Sequence, residues 1–174
     1  VKNVPVEITE AITPLVIWRK ELRRGSGGPG RQRGGLGQCM EIGSRDDAPF
    51  GIQARFERGA YPARGRHGGL PGATGRLRLH SGTPLKVKGF HVIPAGDRLI
   101  VEMPGGGGYG APRERDPALV ARDVRFGLID PEEAAATYGV ELTSRGEPDP
   151  DATAARRTAD MAAGDRPRDD DIAQ

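Results

Sequence analysis

Residues 25–37 read GSGGPGRQRGGLG and residues 104–110 read PGGGGYG. Consecutive glycines let backbone amides converge on an anion, and Arg31 and Arg33 could add charge-assisted hydrogen bonds, so a phosphate cradle is the first chemistry to test. A nucleotide-binding loop of that kind also needs a terminal Gly-Lys-Ser/Thr and a helix whose N-terminus faces the phosphate. Neither is present: the segment after Gly37 reads as a strand, and the stretch contains no lysine. The second stretch fails as a dinucleotide fingerprint, because its glycines do not open a helix and the next helix signal comes only at Asp116.

A nucleic-acid interface would need stacking rings beside the charges, and no aromatic residue is interleaved between Gly25 and Gly37. A structural reading is a crossing of strands or loops, where glycine is required because φ is positive or because two backbones approach too closely for a Cβ. It fits Gly27, Gly28, Gly30, Gly34 and Gly35, and equally Gly105, Gly106, Gly107 and Gly108. Tyr109 is expected to pack beneath the second crossing. Arg31 and Arg33, bracketed by the Gly27-Gly28 and Gly34-Gly35 pairs, are the candidates for contact with a substrate or a subunit interface.

Other reactive side chains are sparse. Cys39 is the only cysteine, which excludes an intrachain disulfide and makes a reducing cytoplasm the expected compartment; in Gln38-Cys39-Met40-Glu41-Ile42 it reads as one position of a strand. His67, His80 and His91 are dispersed and lack partners at metal-ligand spacing. Asp97 and Glu102 read as solvated carboxylates in a turn and on a strand face. Residues 19–88 carry fifteen Lys or Arg against five acids, whereas 145–174 carry five Arg against eight acids. Such a basic body suits an anionic partner or an acidic subunit surface. No apolar run approaches the roughly 20 residues that span a bilayer, so no membrane partner is expected.

The elements that must hold these groups are mainly strands. Residues 4–23 read as extended structure broken by Pro14, with Leu15 to Trp18 as a short buried strand. Further strands are predicted over 36–42 and 50–56, and period-two alternation marks 77–80, 85–90 and 98–103. Residues 57–76 hold too many glycines and prolines for regular structure. Asp116-Pro117 then opens a helix with Val120, Val124 and Leu128 on one face, and Asp130-Pro131-Glu132-Glu133 opens another with a capping-box acid, closed by Gly139. The fold class expected is α+β: a mainly β domain with Gly-rich crossings, then two short C-terminal helices. The domain is expected to end at 142, with 143–174 an acidic, mobile tail in which 152–163 could form a helix.

Three stretches taken in order resemble one family. SGGPGRQRGGLG (26–37), HGGLPGATGRLRL (67–79) and VEMPGGGGYGAPRERDPALVARDVRFGLIDPEEAAATYGV (101–140) are similar to the C-terminal part of the hydantoinase B/oxoprolinase family, including N-methylhydantoinase B-type subunits. The resemblance covers about residues 4–142 and implies ATP-dependent opening of a cyclic amide such as a hydantoin or 5-oxoproline, or in related members ATP-dependent carboxylation of a ketone. It also implies an A-type partner subunit carrying the nucleotide site, and ATP and a divalent metal in the complete enzyme. Members of the family are several times longer, with the metal-site His and Asp residues N-terminal to anything matched here. The expectation is therefore a C-terminal fragment or separately encoded piece, catalytically silent alone, with no cofactor, nucleophile, general base or metal ligand of its own. A noncatalytic anion-binding module is the alternative.

Overall fold

The computed structural model describes residues 4–164. Helix α1 (Val6–Ile12) is followed by strands β1 (Leu15–Leu22), β2 (Gln38–Ser44), β3 (Phe50–Arg55), β4 (Arg76–Leu79), β5 (Pro84–Leu85), β6 (Lys88–Ile93) and β7 (Leu99–Glu102). A 3-10 turn (Pro112–Glu114) leads into helices α2 (Pro117–Arg125), α3 (Pro131–Tyr138) and α4 (Pro150–Gly164). The fold is α+β, strands first and helices after.

Five strands form one antiparallel sheet in the order β1-β2-β7-β4-β5, and β3 pairs with β6 in a second, two-stranded sheet. Period-two alternation along β4 and β7 turns Leu77, Leu79, Leu99 and Val101 to one side, where they meet Ala54 of β3 and Ile93 of β6 in the main core. A smaller core under the helices gathers Val120, Ile129, Ala134, Tyr138 and Val140. The four-residue repeat in α2 creates this apolar stripe, while Asp116 fixes its start by accepting a hydrogen bond from the Ala118 amide at 2.8 Å.

Four details depart from the sequence reading. Residues 6–12 are helical rather than extended: the β-branched residues there read as strand, but the segment is framed by Pro5 at the helix entrance and by Thr13, held extended before Pro14. The alternation over 85–90 belongs to two strands, because the chain leaves β4's partner β5 at Leu85 and enters the other sheet at Lys88. Asp130 makes no capping bond; its carboxylate instead accepts from Arg24 Nη1 at 2.7 Å. Gly139 does close α3 in the left-handed conformation, at φ +62°.

The fourth concerns the boundary at Leu142. Leu142 pairs with Pro148, Thr153 of α4 is buried, and Arg157 of α4 donates to the carbonyls of Arg115 and Tyr138 at 2.8 and 3.2 Å. Packing and backbone hydrogen bonds thus tie the start of α4 to the body, a long-range effect invisible in an Ala- and Arg-rich sequence. The remainder of the expected tail, 165–174, lies outside the described residues.

Candidate functional site: a glycine braid with an arginine face

Three loops, 25–37, 63–73 and 104–110, run side by side and are stitched together by their backbones. Gly28 N donates to Gly106 O at 2.7 Å, Gly106 N to Gly35 O at 2.9 Å, Gly108 N to Leu70 O at 2.9 Å and Leu70 N to Pro29 O at 2.7 Å. Tyr109 sits centrally, bridged to Gln32 on one side and Arg66 on the other. Such contact requires backbones without side chains between them. A Cβ on Gly34 would lie 2.2 Å from Gly106 O, and one on Gly105 would lie 1.7 Å from Ser26 O.

Close approach is therefore what these positions share, and positive φ is not: of the glycines in 25–37 and 104–110, only Gly25 and Gly110 are left-handed. Gly27, Gly28, Gly30, Gly107 and Gly108 likewise face backbone atoms within 2.6 Å of a virtual Cβ, and Gly106 is looser at 3.2 Å. Gly35 faces open space, and nothing in the structure explains its choice. The amides of Gly28, Gly34, Gly105, Gly106 and Gly108 already donate to backbone carbonyls of the braid, so they are not free to cradle a phosphate.

Tyr109 is not packed beneath the crossing. It is 44% exposed, and its ring lies 4.8 Å from that of His67, itself held at φ +51°. Gln32 and Arg66, bridged to Tyr109, are exposed, as are Arg31 and Arg64 on the same loops. Among the described residues no carboxylate forms an ion pair with Arg31, Arg64 or Arg66, whereas Arg19, Arg23, Arg24, Arg33, Arg98, Arg115, Arg122 and Arg156 all have one.

Arg33 takes a different role from its neighbour. Its Nε donates to Asp123 Oδ2 at 2.9 Å, and Arg115 Nη2 reaches the same oxygen at 2.8 Å; Asp123 is fully buried. The other arm of Arg115 donates to the Arg31 carbonyl at 3.0 Å. Through Arg115 the buried carboxylate on α2 thus grips the backbone that carries Arg31, and the same carboxylate holds Arg33 by its Nε. Burial, reinforced by Glu133, pushes the nearby Tyr138 hydroxyl up to about 12, so it stays protonated. Burial, followed by the charge of Asp130, raises the Glu133 carboxyl above its ordinary value.

Sequence reasoning missed Asp123, Arg115 and Arg66. Asp123 acts through Arg33, 90 positions away, and Arg115 through the carbonyl of Arg31, 84 positions away, which no local pattern announces. Arg66 stands directly before the His67-Gly68-Gly69 stretch, and that adjacency was the available signal. Of the histidines, His80 Nδ1 pairs with Glu41 at 3.0 Å, and His91 contacts the Lys86 carbonyl. Among the described residues no three His, Cys, Asp or Glu side chains gather as a metal-ligand set. Cys39 is buried on β2 and accepts from Arg19 Nη2 at 3.0 Å. Among the described residues no helix is long and apolar enough to cross a membrane.

Comparison with known proteins gives this architecture relatives. The family model for hydantoinase B/oxoprolinase matches residues 1–112. Caprolactamase subunit beta of Pseudomonas jessenii is 35% identical over 162 residues, which is 88% of this chain and 28% of that protein. The 5-oxoprolinase of Saccharomyces cerevisiae is 35% identical over 109 residues, 60% of this chain and 8% of that one. The crystal structure of the ATP-dependent caprolactamase from P. jessenii superposes with a TM-score of 0.74 at 30% identity, over 88% of this chain and 28% of that one. Nucleotide-free acetone carboxylase gives 0.68 at 24% identity, over 94% of this chain and 27% of that one, a likeness of fold. The chain spans about a quarter of the length of the bacterial subunits it matches. The chain belongs to the hydantoinase B/oxoprolinase family.

Proposed function

We propose that this chain, with α4 packed on its body, serves as the C-terminal region of a hydantoinase B-type subunit, present as a fragment or a separately encoded piece. With the remainder of that subunit and an A-type partner it takes part in ATP-dependent opening of a cyclic amide such as a hydantoin, 5-oxoproline or a lactam. The observation that carries this reading is the extent of the match: most of this chain aligns, yet it corresponds to only 28% of the caprolactamase beta subunit. An amide carbonyl is a poor electrophile, and ATP supplies the activation that makes ring opening feasible. The part assigned to this chain is architectural. The braid holds three loops against one another, and the Asp123 cluster ties the loop that carries Arg31 to the helices. The likeness to acetone carboxylase supplies a fold and no substrate, so ketone carboxylation is not favoured. The buried, unpaired Cys39 accords with a reducing cytoplasm.

Reconstitution tests this. The purified chain with ATP and hydantoin, 5-oxoproline or caprolactam should show no turnover. Combined with the rest of a B-type subunit and an A-type subunit it should support ATP-dependent ring opening that is lost when the chain is omitted. Robust turnover by the chain alone would overturn the proposal.

A further inference from the structure

The face of the five-stranded sheet that carries the main core is closed along only part of its width. Ile17, Ile42, Leu99 and Leu79 stand opposite one another across β1, β2, β7 and β4, one continuous apolar row. Leu99 and Leu79 are buried with Ala54 and Ile93 of the two-stranded sheet, whereas Ile42 and Ile17 are only half-buried. The neighbouring row opens in the same way, from buried Leu77 and Val101 to half-buried Met40. What remains over β1 and β2 is a groove of about 310 Å³, whose lining includes Val4, Val6, Ile17, Met40, Ile42 and Met103. Helix α1 forms its rim. No residue of α1 is buried, and Ile8 and Ile12 are 51% and 78% exposed. Polar bonds hold this rim to β1, from the Ile17 amide to Glu10 Oε1 at 2.8 Å and from Lys20 Nζ to the Val4 carbonyl at 3.1 Å.

We infer that this groove, with α1 at its rim, is where an apolar segment from the remainder of a B-type subunit docks and completes the core. The inference rests on the reading of the chain as the C-terminal region of a longer subunit. Because the apolar rows run from the closed core into the groove, an occupant extends a core that already exists, and burial of Ile17, Met40, Ile42 and Met103 drives its docking. Under that reading the polypeptide that precedes Val1 in the subunit joins at α1, on the groove's own rim. The relatives supply the material: this chain matches 26% and 28% of two bacterial subunits, so about three quarters of such a subunit lies elsewhere. The chain's own tail does not suit the groove, since residues 165–174 carry four acids, two arginines and one large apolar residue, Ile172. Charges buried without partners cost more than one aliphatic side chain returns. The opposite face of β2 needs no such cover: Arg19 meets Cys39, Arg98 meets Glu41, and Trp18 Nε1 lies 3.1 Å from the place of a Cβ on Gly43.

The test puts the full chain in place of the 28% that it matches in P. jessenii caprolactamase beta, restoring a subunit of full length, and compares that subunit with the chain alone. Both are exposed to dilute peroxide, and sulfoxide at Met40 and Met103 is followed by mass spectrometry, since methionine oxidation tracks exposure. Both methionines should oxidise several-fold more slowly in the restored subunit. Val6→Asp sets a carboxylate on the groove wall, outside both cores, and should return most of the lost rate there. Phe126→Asp adds the same charge at an apolar residue 63% exposed beyond α2 and should not. Val4→Asp, at a groove residue 58% exposed before α1, serves if Val6→Asp melts the free chain. Equal oxidation in the restored subunit and the free chain, or equal effects of Val6→Asp and Phe126→Asp, would overturn the inference. The parent reading is scored separately, by ATP-dependent opening of caprolactam when an A-type subunit is added: ring opening with unprotected methionines removes the groove and keeps the reading, and protected methionines without ring opening do the reverse. Sedimentation of the chain alone should show a monomer; a dimer that Val6→Asp dissociates would make a second copy the occupant and overturn the inference.

Discussion

Replacing Gly34 by alanine is the sharpest perturbation of the braid, because its neighbour Gly35 supplies a built-in control. The added Cβ of Gly34→Ala would sit 2.2 Å from Gly106 O, 2.6 Å from Gly106 C and 2.9 Å from Gly107 O. All three are backbone atoms, so no flexible side chain can swing aside, and the two loops must separate. Overpacking of this kind costs about 1–3 kcal/mol, and breaking the Gly106 N to Gly35 O bond would add ~1 kcal/mol. Gly35→Ala meets nothing within 4 Å; there the loss of freedom in the unfolded chain should stabilise by ~0.4–1 kcal/mol. The two variants should therefore differ by roughly 2.4–5 kcal/mol with opposite signs, equivalent to ~5–20 °C in melting temperature for a chain of this size. Urea denaturation followed by circular dichroism measures both. Equal stabilities for the two variants would show that the braid does not constrain Gly34.

Asp123→Ala leaves Arg33 and Arg115 buried without their shared carboxylate and should cost about 3–5 kcal/mol, read by the same denaturation; a loss under 1 kcal/mol would remove the cluster as the anchor of the Arg31 loop. Glu133 has a raised folded-state pKa, so the folded chain holds its proton more tightly than the unfolded one. The stability gained from that proton is complete at acidic pH and declines as pH rises above the ordinary value of 4.5 through the raised one. Glu133→Gln should flatten that decline and raise stability at pH 7, measured by thermal melts across pH. Asp97 contributes in the opposite sense. The Ser81 hydroxyl bond lowers its pKa, so its stabilisation is lost as pH falls below 3.8 through the lowered value, and Ser81→Ala should reduce that acid sensitivity.

Local rules made much of the fold legible. Alternation at Leu77 and Leu79 and at Leu99 and Val101 gave the core strands, and Asp116-Pro117 and Gly139 gave a helix start and a helix end. In the glycine stretches the sequence could not separate positive φ from close approach, since both simply demand a missing Cβ. What stayed hidden depends on partners distant in sequence. Arg31 and Arg33 look equivalent in the stretch RQR, yet one meets solvent and the other meets Asp123, 90 positions on. Tyr109 reads as a packed aromatic because it follows four glycines, but those glycines pack against backbone and leave its ring outside. The helix over 6–12 and the change of sheet between Leu85 and Lys88 were hidden because residue pattern alone does not fix which strand a segment will join.

The role of the glycine segments as structure, with their amides committed to neighbouring carbonyls, is tested most directly by amide hydrogen exchange. At Gly28, Gly34, Gly105, Gly106 and Gly108 exchange should be slow, with protection near that of the β2 and β7 core and unchanged by ATP with magnesium. Rapid exchange at these amides, or protection that arises only when nucleotide is added, would mean that they serve a phosphate and not the fold.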